Sequence, residues 1–383
     1  MRILVIRWGT LESFPPAINL TQSLERLGHD VTVMANEVNA SRAIEHEVKR
    51  VDLGEYPRPG ESGWLRGRIS GRSRLRTYIK EHIQDFDLIW TTSDNSAIYC
   101  NDLIPPEKHI LQLAELVEYV PVIGSLSFLK SNSFVEHARQ VKRVVVPEVN
   151  RAFIQKAWWN LPETPAVLPN KPAINVLPEL APEEEPSYVK TLKSLKADGV
   201  KVILYQGGFT QDRDIETYCK AVDLLGEDYA LCLMGPENDY SKELCSRYGN
   251  TRYIGLYPPP LHLYAGKYAL AGILPYRSSP KRVAHLSPLN SLYCAPNKLW
   301  EYALVGLPMI ANNLPGLQNI IDSNRIGVTV QEEDVRSVVK AVDDVAEKRD
   351  FYSENSLSFY RKLDFDCAVS GILKSCLRDS MDG

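Results

Sequence analysis

The chain has 383 residues, of which 44% are hydrophobic and 24% charged, and its formal net charge is −4. That length exceeds one ordinary core and fits two α/β domains of a globular protein. The negative balance argues against nucleic acid as a general partner, and the cysteines, at 100, 219, 232, 245, 294, 367 and 376, include no C-x-x-C pair that would suggest a zinc site or a disulfide framework.

The first apolar run, at 3–6, reads as a strand. The loop 8–14 follows it, and Pro15-Pro16 opens a helix with Ala17, Leu20, Leu24 and Leu27 on one face and Gly28 at its end. Further strands are predicted at 31–34, 88–90, 109–113 and 144–146, which together make one Rossmann-like domain over 1–165. Prolines crowd 166–186, beside Glu183-Glu184-Glu185, and mark a linker. The alternation restarts with strands at 201–205, 230–234, 271–274 and 308–311, giving a second Rossmann-like domain over 187–355. From 356 to 383 only helical signals remain, and this tail is expected to pack on the first domain. No stretch is apolar and long enough to span a bilayer, and the start shows no cleavage site, so a cytoplasmic location is expected.

Parallel α/β sheets bind ligands at the carboxyl ends of their strands, where helix starts offer free N–H groups to anions. Two segments of the second domain fit that rule. After the strand at 201–205, Gly207 and Gly208 let the backbone approach a ligand, and Arg213 stands where the next helix begins, able to fork two hydrogen bonds onto phosphate. The plainer alternative is a tight turn whose Arg213 pairs with Asp212 or Glu216. In the second segment, Pro296 suits a helix start, so the first-turn amides of Asn297, Lys298 and Leu299 would face a diphosphate. Lys298 adds a charge, and Glu301, one turn on, could accept both hydroxyls of a ribose. The alternative here is a cap at Asn297 with a surface pair between Lys298 and Glu301.

Pro296-Asn297-Lys298-Leu299-Trp300-Glu301-Tyr302, with Gly306-Leu307-Pro308-Met309-Ile310-Ala311 and Leu314-Pro315-Gly316-Leu317, resembles the donor-site region of GT-B glycosyltransferases of the retaining family 4 type. Gly207-Gly208 through Arg213 is similar to their phosphate-binding loop. Val144-Val145-Val146-Pro147 and Leu168-Pro169-Asn170-Lys171-Pro172 resemble the crossing out of their first domain. The likeness implies two Rossmann-like domains facing a cleft, with a C-terminal helix crossing back to the first. It also implies a nucleotide-sugar donor, with Glu301 on the ribose and Arg213 and Lys298 on the diphosphate as the catalytic cations. Tyr293 stands where the family often has a further glutamate, which leaves the grip on the donor sugar unassigned.

On this reading a sugar passes from a nucleotide, UDP before GDP, to a hydroxyl of a saccharide or lipid-linked acceptor in polysaccharide or glycoconjugate synthesis. No cofactor and no metal are expected, because Arg213 and Lys298 supply the positive charge. Transfer is read as retaining; an inverting enzyme would need a base, for which Glu115, Glu118 and Asp94 are the first-domain carboxylates. Gly9, in the loop after the first strand, could touch the donor. Arg58, Arg66, Arg68, Arg72, Arg74, Arg76 and Lys80 gather around Trp64 and Leu65. They read either as a solvated helix or as a patch for an anionic acceptor or the inner face of a membrane. The rival functions are a nucleotide-sugar epimerase on the same architecture, a sugar-nucleotide-binding partner subunit without catalysis, and a nicotinamide-dependent dehydrogenase. The last is disfavoured because G-x-G-x-x-G does not follow the first strand.

Overall fold

Strand β1 (Arg2–Ile6) is buried from Ile3 onward, as an aliphatic run in a central parallel strand must be. In the computed structural model, which describes residues 1–378 apart from 42, 43, 45, 46, 57, 59–62, 120, 124, 125, 131 and 279–286, the chain continues into α1 (Pro15–Arg26), β2 (Asp30–Ala35) and β3 (Lys49–Asp52). Then come α2 (Trp64–His82), β4 (Leu88–Thr91), α3 (Asp94–Ile98), β5 (His109–Gln112) and the antiparallel pair β6 (Pro121–Ile123) and β7 (Leu126–Lys130). The first sheet is completed through α4 (Asn132–Gln140), β8 (Arg143–Val146), α5 (Val149–Trp159) and β9 (Ala166–Val167). Its order is β3-β2-β1-β4-β5-β8-β9 with every pair parallel, so the winding reverses between β1 and β4. Ile3, Val5, Val33 and Trp90 point to one face of it, and Leu4, Ile6, Met34 and Ile89 to the other.

The second sheet is built from α6 (Ser187–Ala197), β10 (Lys201–Gln206), α7 (Ile215–Leu225), β11 (Tyr229–Met234), α8 (Asp239–Arg247), β12 (Thr251–Tyr253) and β13 (Ala271–Leu274). It continues with α9 (Pro288–Leu292), α10 (Asn297–Leu304), β14 (Met309–Asn312), α11 (Pro315–Asn324), β15 (Gly327–Val330), α12 (Val335–Glu347) and α13 (Arg349–Lys362). The order is β12-β11-β10-β13-β14-β15, again all parallel, and the winding reverses between β10 and β13. Leu204, Leu274, Leu299 and Tyr302 fill one face, and Ile203, Tyr205, Ile215 and Val342 the other.

The chain divides into two units. The first runs from Met1 to Ala173 and takes in the segment ending at Asn290 and everything from Asp364 on; the second holds Ile174 to Arg282 and Ser291 to Leu363. Helix α14 (Phe365–Arg378) is therefore part of the first unit, where Phe365, Val369, Ile372 and Leu373 bury against Ala17, Leu20 and Leu24 of α1. Arg26 of α1 forks onto the Asp366 carboxylate at 2.9 and 2.7 Å. That pair is half exposed and contributes about 0–1 kcal/mol, whereas each buried aliphatic side chain contributes about 1.5–3.

Candidate functional site

At the reversal point of the second sheet, the loops after β10 and β13 meet. Gly207 leaves β10 at φ +132°, a conformation open to glycine, and its amide donates to Met234 O at 2.8 Å. A Cβ there would fall 2.7 Å from Lys298 Nζ, so the lysine ammonium lies across the glycine backbone. Lys298 Nζ also donates to Tyr276 Oη at 3.3 Å. Arg213 comes from the far end of the same loop, and Tyr276 from the loop after β13. Arg213 bridges to Tyr276 through the backbone, and its guanidinium stacks on the Tyr276 ring at 4.0 Å from the centroid. The pairing with Glu216 does not form, because that carboxylate takes Lys220, Arg247 and Tyr248 instead. Toward Asp212, Arg213 makes a 3.4 Å bond to the backbone carbonyl only.

Helix α10 brings Lys298 and Glu301 to the same place. Pro296, not Asn297, occupies its cap position, and no side chain caps the first turn. Tyr302 anchors the helix: its hydroxyl donates to Leu204 O at 3.3 Å and accepts from Gln206 N at 3.2 Å, at the end of β10. Glu301 is 7% exposed, so it is not a surface partner of Lys298. Its Oε1 lies 3.4 Å from His262 Nε2. Burial pushes the Glu301 carboxyl up, but the hydrogen bond and attraction of His262, with the nearby Lys298, outweigh it and hold the group below its ordinary range. A buried carboxylate kept charged can accept hydrogen bonds from a diol, while two cations and uncapped first-turn amides suit a diphosphate.

His262, Tyr276 and Tyr205 were not singled out from the sequence. His262 sits at the start of a 3-10 segment, Leu261–Tyr268, after Pro258-Pro259-Pro260, and its carbonyl accepts from the Gln206 side chain. Tyr276 follows β13 by two residues, and Tyr205 fixes the glycine loop by donating to Gly208 O at 2.7 Å. Asp212-Arg213-Asp214, between β10 and α7, has the spacing of an Asp-x-Asp metal motif, contrary to the expectation that none stands after a strand. Asp214 is nevertheless committed: its carboxylate accepts from Thr217 Oγ1 at 2.7 Å, Arg277 Nη2 at 2.8 Å and Glu333 N at 2.9 Å.

The structure thus brings Gly207, Gly208, Arg213, Asn297, Lys298, Leu299 and Glu301 together in the second unit, with Leu299 buried beneath the others. Tyr293 is half-buried just ahead of α10, with its backbone packed against Gly316 at the start of α11. Gly9, Glu115, Glu118 and the α2 arginines lie in the first unit. Gly9 is held by Asn36 Oδ1 at 3.0 Å. Glu115 is exposed and 3.7 Å from Arg151, and Glu118 is exposed. Arg76 forks onto Asp102 at 2.7 Å, Arg72 lies over the Tyr99 ring, and the Arg74 guanidinium lies against Gly54.

No family model and no curated protein sequence matches the chain. Solved structures do match in fold. Anabaena HepE in complex with UDP-glucose superposes with a TM-score of 0.69 at 12% identity over 100% of both chains. WaaG, a glycosyltransferase involved in lipopolysaccharide biosynthesis, gives 0.62 at 13% identity over 96% of this chain and 98% of its own. A Listeria monocytogenes protein described as a UDP-N-acetylglucosamine 2-epimerase gives 0.60 at 12% over 97% and 94%. The chain has the GT-B fold. Its GT-B halves share a plan, since each parallel sheet reverses once beside the strand that opens it or its neighbour and presents loops there. The expectation of paired parallel α/β domains with a returning C-terminal helix is met by this GT-B chain, and the motif around Pro296 lies at the reversal point of its second sheet.

Proposed function

We propose that this GT-B chain is a glycosyltransferase that moves a sugar from a UDP-linked donor to a hydroxyl of a saccharide or lipid-linked acceptor. The observation that carries it is the convergence of Lys298, Arg213 and the α10 start on Gly207, beside a buried, charged Glu301. The diphosphate would rest on the two cations and the amides, and Glu301 would take the ribose hydroxyls. As the bond between the sugar's anomeric carbon and the diphosphate oxygen breaks and the acceptor oxygen bonds to that carbon, negative charge develops on the leaving diphosphate, which Arg213 and Lys298 stabilise. Retention, with a donor phosphate oxygen taking the acceptor proton, needs no separate base. UDP is preferred to GDP because HepE, of the same fold, binds UDP-glucose.

A thermal-shift screen against UDP, GDP and their sugars tests the site. UDP or its sugar should raise the melting temperature by mass action, and Glu301→Ala and Arg213→Ala should abolish the shift. No stabilisation by any nucleotide would end the reading. The epimerase description of one structure of this fold supports a second reading, in which the nucleotide sugar is converted without an acceptor. Product analysis with and without an acceptor panel separates the two, and binding without turnover would indicate a partner subunit.

Helix α2 supports a place at a membrane surface. Leu65 and Ile69, one turn apart, are 61% and 62% exposed, and Arg66, Arg72 and Lys80 are exposed on the same helix. No helix among the described residues is long and apolar enough to cross a membrane. Peripheral contact with anionic lipid, on the cytoplasmic side, would use the two aliphatic side chains and the cations together. Flotation with anionic vesicles checks this: binding at low salt should be lost in Leu65→Glu with Ile69→Glu, and its persistence would remove the idea.

A further inference from the structure

The first sheet reverses between β1 and β4, the place in an open α/β sheet where ligands bind. Arg7 stands there, one residue past β1. Its backbone amide donates to Met34 O at 2.8 Å, and its Nη1 reaches Ser93 Oγ, in the loop after β4, at 3.3 Å. The guanidinium spans the two strand ends at which the sheet divides. Phe14 covers it, with the ring centroid 4.2 Å away. Gly9, at φ +130°, lets the chain fold tightly around the group: a Cβ there would lie 3.2 Å from Arg7 Nη2.

This cation is poorly compensated. Arg7 Nε is buried without a hydrogen-bond partner, and among the described residues Arg7 makes no ion pair with a carboxylate. Tyr56 and Asp94 are the titratable groups that favour its charge, and burial outweighs them, lowering its pKa to about 10. Stacking on Phe14 is worth about 0.5–2 kcal/mol, but an aromatic face in that position does not accept from Nε. A buried charged donor left unmade costs more than a neutral one, so the arrangement favours an anion that approaches the fork and completes it. Arginine's planar donors match phosphate or carboxylate oxygens two at a time.

We propose that Arg7, with Ser93 and the Gly9 turn, forms a subsite for the phosphate or carboxylate group of a small anionic ligand at the reversal point of the first sheet. That the ligand is the acceptor, a saccharide carrying such a group, rests on the glycosyltransferase reading; the subsite itself does not.

Calorimetric titration of the full-length chain with inorganic phosphate, glucuronate and glucose decides the matter. Phosphate or glucuronate should bind and glucose should not, and the tighter of the two anions identifies the group recognised. Arg7→Gln should weaken that binding by about tenfold or more, the loss of one charge-assisted fork, while Lys193→Gln, at an exposed ion pair outside both sites, should leave it nearly unchanged. Should Arg7→Gln fail to fold, Arg7→Lys, which keeps the charge and loses the fork, must show the weakening. Binding unaffected by Arg7 substitution, equal weakening in Lys193→Gln, or no anion binding at all overturns the proposal. UDP titrated into the same variants is a separate readout: if it fails to bind the wild type, the donor-site reading falls and the anion result stands alone.

Discussion

Glu301 keeps its charge in a place where burial works against it, and this has a measurable consequence beyond ligand binding. His262 and Lys298 hold its folded-state pKa below the ordinary value, so folding favours the deprotonated form. The stability this provides is fully present above the unfolded pKa of about 4.3 and is lost as pH falls through the lower folded value. Urea unfolding between neutral pH and about pH 3 should show the wild type losing stability faster on the acid side than Glu301→Gln, which has no proton to take up. Parallel curves would mean that the carboxylate is not held by His262 and Lys298. Asp214 is the structural counterpart. It ties the loop before α7 to Arg277 and to the backbone of Glu333, and it is 1% exposed. Asp214→Ala leaves Arg277 with Glu333 alone, removes the acceptor for Thr217 and the Glu333 amide, and should cost about 1–3 kcal/mol in denaturant unfolding, the range for buried donors left unpaired. A loss under about 1 kcal/mol would show that solvent replaces the carboxylate.

Helix α10 owes its position to one close approach. Gly272 of β13 has no side chain, and a Cβ there would lie 2.5 Å from the Tyr302 ring, whose hydroxyl pins the helix to the end of β10. Gly272→Ala should push α10 away, costing about 1–3 kcal/mol as overpacking does, and should weaken UDP binding, because Lys298 and Glu301 ride on that helix. Unfolding and UDP titration of one preparation check both, and full affinity in a destabilised variant would separate the helix from the site. Packing of this kind also explains what the sequence disclosed. The strands predicted at 3–6, 31–34, 88–90, 109–113, 144–146, 201–205, 230–234, 271–274 and 308–311 all have apolar runs, because interior parallel strands bury both faces. The four missed from the two large sheets, β3, β9, β12 and β15, are the edges. Lys49-Arg50-Val51-Asp52 and Thr251-Arg252-Tyr253 carry the charges that edges tolerate and so show no such run. The site divides in the same way. Lys298 and Glu301 are neighbours in the chain and formed a legible pattern, whereas His262 and Tyr276 join them only through the meeting of loops after different strands.

The chain enters the second unit at Ile174 and leaves it at Leu363, so the first unit's core depends on residues from the far end of the sequence. Phe365, Val369, Ile372 and Leu373 cover the apolar face of α1, and at about 1.5–3 kcal/mol each their removal exceeds 5 kcal/mol. That is comparable with the whole stability of a typical domain. The residues proposed to hold the donor all fall between Gly207 and Glu301 and lie in the second unit. A chain ending at Leu363 should therefore lose the cooperative melting of its first unit and bind a hydrophobic dye, yet retain UDP affinity close to that of the full-length protein. In calorimetry, UDP at about 100 times its Kd should stabilise the surviving transition by about 2.7 kcal/mol. Loss of UDP binding on truncation, with the second unit still folded, would show that the donor needs residues outside the second unit. An unchanged melting profile would show that α14 does not hold the first core together.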